Sequence, residues 1–283
     1  MHITLNEWLD TWIEAYIKNS KSENTYRCYK DSIRRIREAK APFLDNDMRD
    51  ITEIEMQAFI NFLGKKYSKS TLNHARVVFD QAFATAIVNS YCERNPIHKL
   101  TLPIDADEKE IRALTLQEQE IVEEIAKTDP LGHIVLFFLN TGLRMQELCN
   151  LQWDDYNKKA NYIIVRKSKT KAGIRLVPLI EEAKQILDAQ PHYNRFIFNN
   201  TRKQPITENA LKKLYLRLRT KTGIDFITNH VYRHSFATRL VEKGCEYKAL
   251  SSLMGHTDVS FTLRRYATSN IDFLRQQINL LHK

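Results

Sequence analysis

The chain has 283 residues, 43% of them hydrophobic and 27% charged, and carries a formal net charge of +9. This places it among ordinary soluble globular proteins of about two domains, and the basic balance favours a polyanionic partner over an acidic one. Only seven glycines are present, and neither a G-x-G-x-x-G nor a G-x-x-x-x-G-K-[ST] string occurs, so neither nucleotide-phosphate loop is available.

The first hundred residues read as helices. Leu5, Trp8, Leu9, Trp12, Ile13 and Tyr16 recur at helical spacing. Ser22 is placed to cap a second helix whose face is Tyr26, Tyr29, Ile33 and Ile36. Thr52 and Glu55 form a capping box for a third, running to Leu63 and Gly64. A fourth spans Leu72 to Val88, and Asn95-Pro96 stops any helical continuation beyond it. The expectation for residues 1–100 is an all-α helical bundle. Residues 101–112 are polar and charged without an apolar period, as expected of an interdomain linker.

Residues 113–283 read as a second, α+β domain, mainly α with a small antiparallel β-sheet. Thr115 and Glu118 make another capping box, opening a helix over 116–127. A helix over 131–141 is closed by Gly142. Strands are expected at Asn161–Arg166 and Ile174–Leu179 with a turn between them. Helices are expected next near 180–189, 207–220, 229–242, 246–253 and 259–267.

Basic residues concentrate in this second part. Arg166, Lys167, Lys169, Lys171 and Arg175 fall within positions 161–175, which hold no acidic residue. Positions 201–243 have a net charge of +7, with Lys212, Lys213, Arg217 and Arg219 close together on one helix. The clustering favours nucleic acid over a merely basic surface. Lys167, Lys171, Arg175, Lys212, Lys213 and Arg217 are the candidate DNA contacts. Cys28, Cys92, Cys149 and Cys245 form no C-x-x-C pair, which fits a reducing cytosol and suggests neither a zinc site nor a disulfide framework. The start of the chain has no signal-peptide pattern, and the longest apolar run, Ile134–Leu139, is far too short to span a bilayer.

A set of phosphate-handling residues stands out: Arg144, Lys169, His230, Arg233, His256 and Tyr266. Cleaving a phosphodiester without a metal needs an in-line nucleophile, fixed cations on the non-bridging oxygens and an acid for the leaving oxygen. Arginine suits the clamp because its planar fork binds phosphate bidentately. His230 and Arg233, three apart on a helix, share a side of it. Glu147 stands three residues after Arg144 and is placed to orient it. A tyrosine is a poor nucleophile at its reference pKa of about 10, but clustered cations favour its phenolate. Each residue also has a plainer reading. Arg144 can simply pair with Glu147, Lys169 can be one solvated charge of a basic hairpin, and one tyrosine among twelve is ordinarily packing. His230 and His234 are spaced to chelate a metal, yet no third ligand is evident.

The order Arg144, Lys169, His230-x-x-Arg233, His256, Tyr266 resembles the tyrosine recombinase (phage integrase) family. The strings Thr141-Gly-Leu-Arg-Met-Gln-Glu-Leu, Ser168-Lys-Thr-Lys-Ala-Gly and Leu253-Met-Gly-His-Thr-Asp carry the same likeness, over about residues 110–270. The N-terminal helices resemble the family's core-binding domain by pattern rather than by motif. Tyr266 follows His256 by ten residues, where many members place the tyrosine one position earlier. The longer step resembles integrases of conjugative transposons and related phages, and the shorter one would land on Arg265, which cannot attack.

The resemblance implies a site-specific DNA recombinase of a mobile element. Arg144 and Arg233 would hold the scissile phosphate, Lys169 would protonate the departing 5′-oxygen, and His230 would assist proton transfer. His256 would hydrogen-bond the phosphate, and Tyr266 would attack to leave a 3′-phosphotyrosine. Lys169 is flanked by Lys167 and Lys171 and is preferred for its Ser-Lys-Thr context. No cofactor, ATP or obligatory metal is implied. Double-stranded DNA is the partner, with a homo-tetramer on two DNA sites and scope for accessory DNA-bending or directionality proteins. The implied location is the bacterial cytoplasm, on the nucleoid when bound. The amphipathic face Ile271, Leu274, Ile278, Leu281 suits docking on a neighbouring subunit or packing on its own domain. Many integrases of this group carry an additional N-terminal arm-binding domain, whereas here the core-binding pattern starts almost at Met1. A relaxing topoisomerase shares this chemistry, and a DNA-binding regulator could share the fold.

Overall fold

The computed structural model describes residues 2–107, 112–166, 171–256, 258–260 and 262, with Lys171 by its backbone. The chain divides into two units, Met1–Glu110 and Ile111–Lys283.

The first unit is all helical. Helix α1 (Leu5–Trp12) opens on a capping box: the Glu7 amide donates to Thr4 Oγ1 and the Thr4 amide donates to the Glu7 carboxylate. Its apolar residues Leu5, Trp8, Leu9 and Trp12 are all buried, and the helix runs on through a π-turn at Ile13–Ile17. Helices α2 (Glu23–Glu38), α3 (Glu53–Gly64) and α4 (Lys69–Val88) come next. The caps expected at Ser22 and at Thr52–Glu55 are present. Helix α4 begins earlier than expected because its first turn, Lys69-Ser70-Thr71, is polar and carries no apolar period. The Trp8 indole reaches across the bundle to donate to the Ala82 carbonyl at 2.8 Å, satisfying a polar group inside an apolar core. Part of the polar stretch after residue 100 packs on this unit. Thr101 exchanges two hydrogen bonds with the Gln57 side chain, Leu102 packs against the core, and Ala106 is buried.

The second unit is built around α6 (Gly132–Thr141), whose Ile134, Val135, Phe137, Phe138 and Leu139 are all buried. A helix apolar on every side belongs in the middle of a domain. Helix α5 (Leu116–Lys127) precedes it, opened by the Thr115–Glu118 box, and Arg112 forks onto the Glu118 carboxylate with both bonds 2.6 Å. The short α7 (Met145–Cys149) escapes a periodicity reading because five residues hold little more than one turn. A three-stranded antiparallel sheet comes after it in the order β1 (Tyr156–Asn157), β2 (Tyr162–Val165), β3 (Arg175–Pro178). Its β2–β3 register pairs Ile163 with Val177, both buried. Helices α8 (Glu181–Asp188), α9 (Glu208–Thr222), α10 (Asn229–Glu242) and α11 (Tyr247–Met254) complete the described part. The helix expected over 259–267 lies mostly outside the described residues, of which Val259, Ser260 and Thr262 are helical, and the apolar face from Ile271 to Leu281 lies wholly outside them. No helix among the described residues is long and apolar enough to cross a membrane.

Helix α10 packs on α6, and one glycine decides how closely. Gly142 ends α6 at φ +61, and a Cβ there would stand 2.4 Å from Phe236 Cδ1 of α10. Gly223 has a similar φ of +73 with nothing within 4 Å of the same position. Gly223→Ala is expected to cost about 1–2 kcal/mol, the strain of a left-handed residue alone. Gly142→Ala is expected to cost clearly more, because Phe236 must also move. Urea unfolding midpoints compare the two, and equal losses would show that the close approach at Phe236 is unimportant.

Candidate active site

Arg144 is the N-cap residue of α7, just beyond the left-handed Gly142. It is fixed by Glu147 in two ways: its amide donates to Oε2 at 2.8 Å, and its Nη1 donates to Oε1 at 2.8 Å. Its Nη2 donates to the Gly255 carbonyl at 3.2 Å. The Arg144 side chain remains about a third exposed.

Arg233 comes from α10 and is buried. Its Nη1 donates to the Gly142 carbonyl at 2.6 Å, and its Nη2 donates to the Met254 carbonyl and approaches His256 Nε2 at 3.2 Å. Nδ1 of His256 faces Thr262 Oγ1 at 2.8 Å. Arg144, Arg233 and His256, drawn from distant parts of the chain, therefore meet at the turn Met254–His256. Gly255 makes this turn at φ +61, where an added Cβ would meet Arg175 Nη1 at 3.0 Å.

His230 is exposed on the first turn of α10, one helical turn before Arg233. The buried Asn229 beside it ties α10 to the clamp, accepting from the Met145 amide at 2.8 Å and donating to the Leu143 carbonyl at 3.2 Å. Nothing in the spacing of the sequence singles out Asn229, because its partners are more than eighty residues away. Lys167, Lys169 and Tyr266 lie outside the described residues, as does the Lys171 side chain.

One candidate DNA contact is corrected by its partner. Arg175 does not face solvent. Its side chain is 6% exposed, and its Nη1 and Nη2 fork onto Glu147 at 3.0 and 2.9 Å. Arg217 also pairs with a carboxylate, gripping Asp129 with two 2.8 Å bonds, but its side chain stays 44% exposed. Proximity in sequence to other basic residues could not reveal either buried carboxylate. Lys212 and Lys213 are exposed on α9.

The electrostatics reflect this packing. Burial pushes the Glu147 carboxyl up, but Arg175 and Arg144 outweigh it and hold the group down at about 2. Burial pushes the Cys149 thiol up to about 12, which removes it as a thiolate nucleophile. Burial likewise raises Tyr215 and Tyr232, so neither of these buried phenols competes to ionise. Among the described residues, no group of three or more His, Cys, Asp or Glu is placed to hold a metal ion.

Residues 108–272 match the phage integrase family, and residues 4–64 match the phage integrase N-terminal SAM-like domain. Tyrosine recombinase XerA of Pyrococcus furiosus is 28% identical over 250 residues, covering 86% of this chain and 82% of that protein. The transposase of transposon Tn916 from Enterococcus faecalis is 27% identical over 254 residues, covering 77% of this chain and 63% of the transposase. The Tn1549 transposon integrase, solved in complex with a circular-intermediate DNA, superposes with a TM-score of 0.83 at 24% identity over 99% of both chains. A lambda integrase tetramer bound to a Holliday junction gives a TM-score of 0.76 at 24% identity, covering 95% of this chain and 80% of that one. At these identities the two structures establish the fold.

Glu147 sets a pH dependence of stability. A carboxyl held near 2 when folded, against 4.5 when free, contributes fully above about pH 4.5 and loses that contribution as pH falls toward 2. Glu147→Gln is expected to lose about 3 kcal/mol at neutral pH, by leaving the Arg175 charge buried. The deficit should shrink on acidification through that window. A deficit equal at pH 7 and pH 3, measured by urea unfolding, would refute the assignment.

Proposed function

The chain belongs to the phage integrase family and is a site-specific tyrosine recombinase; from that premise we propose that it cuts and rejoins duplex DNA at the ends of a mobile element, with Tyr266 as nucleophile. The observation that carries the reading is the convergence of Arg144, Arg233 and His256 on one turn, a positive site in which the Arg144 side chain stays about a third exposed.

The two guanidinium groups would take the non-bridging oxygens, where charge builds in the transition state. The Tyr266 oxygen attacks phosphorus, and the bond to the 5′-oxygen of the next nucleotide breaks. Lys169 gives that oxygen its proton, His230 assists the proton transfer, and His256 hydrogen-bonds the phosphate. A 3′-phosphotyrosine and a free 5′-hydroxyl result. Attack by a 5′-hydroxyl from another strand reverses each step and releases the tyrosine. One phosphodiester bond is exchanged for another, so the cycle needs no ATP.

Residues 1–100 and 113–283 would grip DNA as separate domains joined by the 101–112 segment, with Lys167, Lys171, Lys212 and Lys213 on the phosphate backbone. The lambda integrase tetramer on a Holliday junction supports the same assembly for this chain on two DNA sites.

On a nicked suicide duplex selected from a library of sites, the wild-type protein is expected to become covalently attached to the DNA 3′ end. Tyr266→Phe should abolish the attachment while leaving DNA binding intact. Absence of any wild-type adduct would end the enzymatic reading, and strand exchange between two duplexes separates a recombinase from a relaxing topoisomerase. Binding should also weaken about a thousandfold or more between about 50 and 200 mM salt, as six or more phosphate contacts require. Lys212→Ala and Lys213→Ala should each lower the salt slope by about one, and unchanged slopes would remove those two residues from the interface.

A further inference from the structure

The buried guanidinium of Arg175 makes four hydrogen bonds beside the clamp. It bridges three segments. Nη1 and Nη2 hold Glu147 of α7, Nη1 also donates to the Gly173 carbonyl at 2.9 Å, and Nε donates to the Leu253 carbonyl at the end of α11 at 2.7 Å.

Two features make this more than a buried ion pair. The first is how Glu147 is divided. Oε1 accepts Arg144 Nη1 and Arg175 Nη1, while Oε2 accepts the Arg144 amide and Arg175 Nη2. With Arg175 sharing the carboxylate, the Arg144 guanidinium is oriented by Glu147 without being neutralised by it. The second is ring closure. Arg144 donates to the Gly255 carbonyl, two residues beyond the Leu253 carbonyl held by Arg175. Arg144, Glu147, Arg175 and the Leu253–Gly255 turn thus form a closed circuit. Arg144 is linked to Arg175 through the shared Glu147 carboxylate, and the turn carrying His256 is held by both arginines.

We propose that Arg175 is a positioning residue for strand cleavage: by sharing Glu147 with Arg144 and bracing the Leu253–Gly255 turn, it sets the Arg144 guanidinium and His256 without touching DNA. The inference rests on the proposed DNA-cleaving function. It assigns Arg175 to aim rather than to affinity, and small misplacements of a transition-state clamp cost rate steeply.

The test uses the full chain and the nicked duplex on which the wild-type adduct is mapped. Arg175→Met keeps the bulk and removes the donors, while Arg175→Lys keeps the charge and loses the fork. Single-turnover cleavage is measured per folded molecule, with DNA affinity, its salt slope and the pH profile. Cleavage is expected to fall about a hundredfold in Arg175→Met and less in Arg175→Lys. Affinity and salt slope should stay as in the wild type. The acid limb of cleavage should move to higher pH, because the buried carboxylate has lost one of its two guanidinium partners. If Arg175→Met does not fold, Arg175→Lys decides by the same readouts. A salt slope lowered by about one would make Arg175 a phosphate contact and overturn the proposal. Loss that merely tracks the unfolded fraction, with the acid limb unmoved, would reduce it to a stabilising residue. A wild type that forms no adduct removes the function and this inference with it, whereas a normal wild type beside a fully active Arg175→Met removes this inference alone.

Discussion

The carboxylate of Glu147 is buried between Arg144 and Arg175, and the shape of the site depends on that one group. A carboxylate taken out of water is costly unless its lone pairs are met, and here four donors meet them. Two cations on one anion leave a net positive charge beside the cleft, and the buried Arg233 adds to it. A site that must receive a phosphate gains from such an imbalance, because its positive charge is in place before the substrate arrives.

The same arginines solve a second problem, that of helix ends. The last carbonyls of a helix have no partner within it and carry the negative end of its dipole. Helices α6 and α11 both end in a left-handed glycine, Gly142 and Gly255, with their final carbonyls turned toward this region. Gly142 and Met254 accept from Arg233, Gly255 accepts from Arg144, and Leu253 accepts from Arg175. The clamp is therefore rigid because its cations also complete the secondary structure. Helix α10 supplies the remaining ties: Asn229 holds the chain on both sides of Arg144, and Ser235 accepts from the Leu114 amide near the start of the unit.

Local signals predicted the elements well where each element contains its own stop and start. The capping boxes at Thr52–Glu55 and Thr115–Glu118 and the glycine stop at Gly142 rest on interactions within a few residues, and β2 pairs with the next strand in the chain. The omissions share the opposite property. Helix α7 is too short to show a period, β1 is two residues long, and the polar first turn of α4 shows none. The basic clusters misled at one position: charge in sequence marked Arg175 for DNA, while Glu147 draws it into the protein.

The sequence alone determined the kind of protein this is. Residue types, order and spacing, from Thr141-Gly142-Leu143-Arg144 through His230-x-x-Arg233 to Gly255-His256, mark the phage integrase family, because a chemistry that needs particular side chains leaves them in the text of the chain. The tertiary structure alone decided which charges meet which partners. Whether an arginine faces a phosphate or a buried carboxylate depends on partners far away in sequence, and only folding brings Arg175 to Glu147, Arg217 to Asp129, and Arg144 and Arg233 to a single turn.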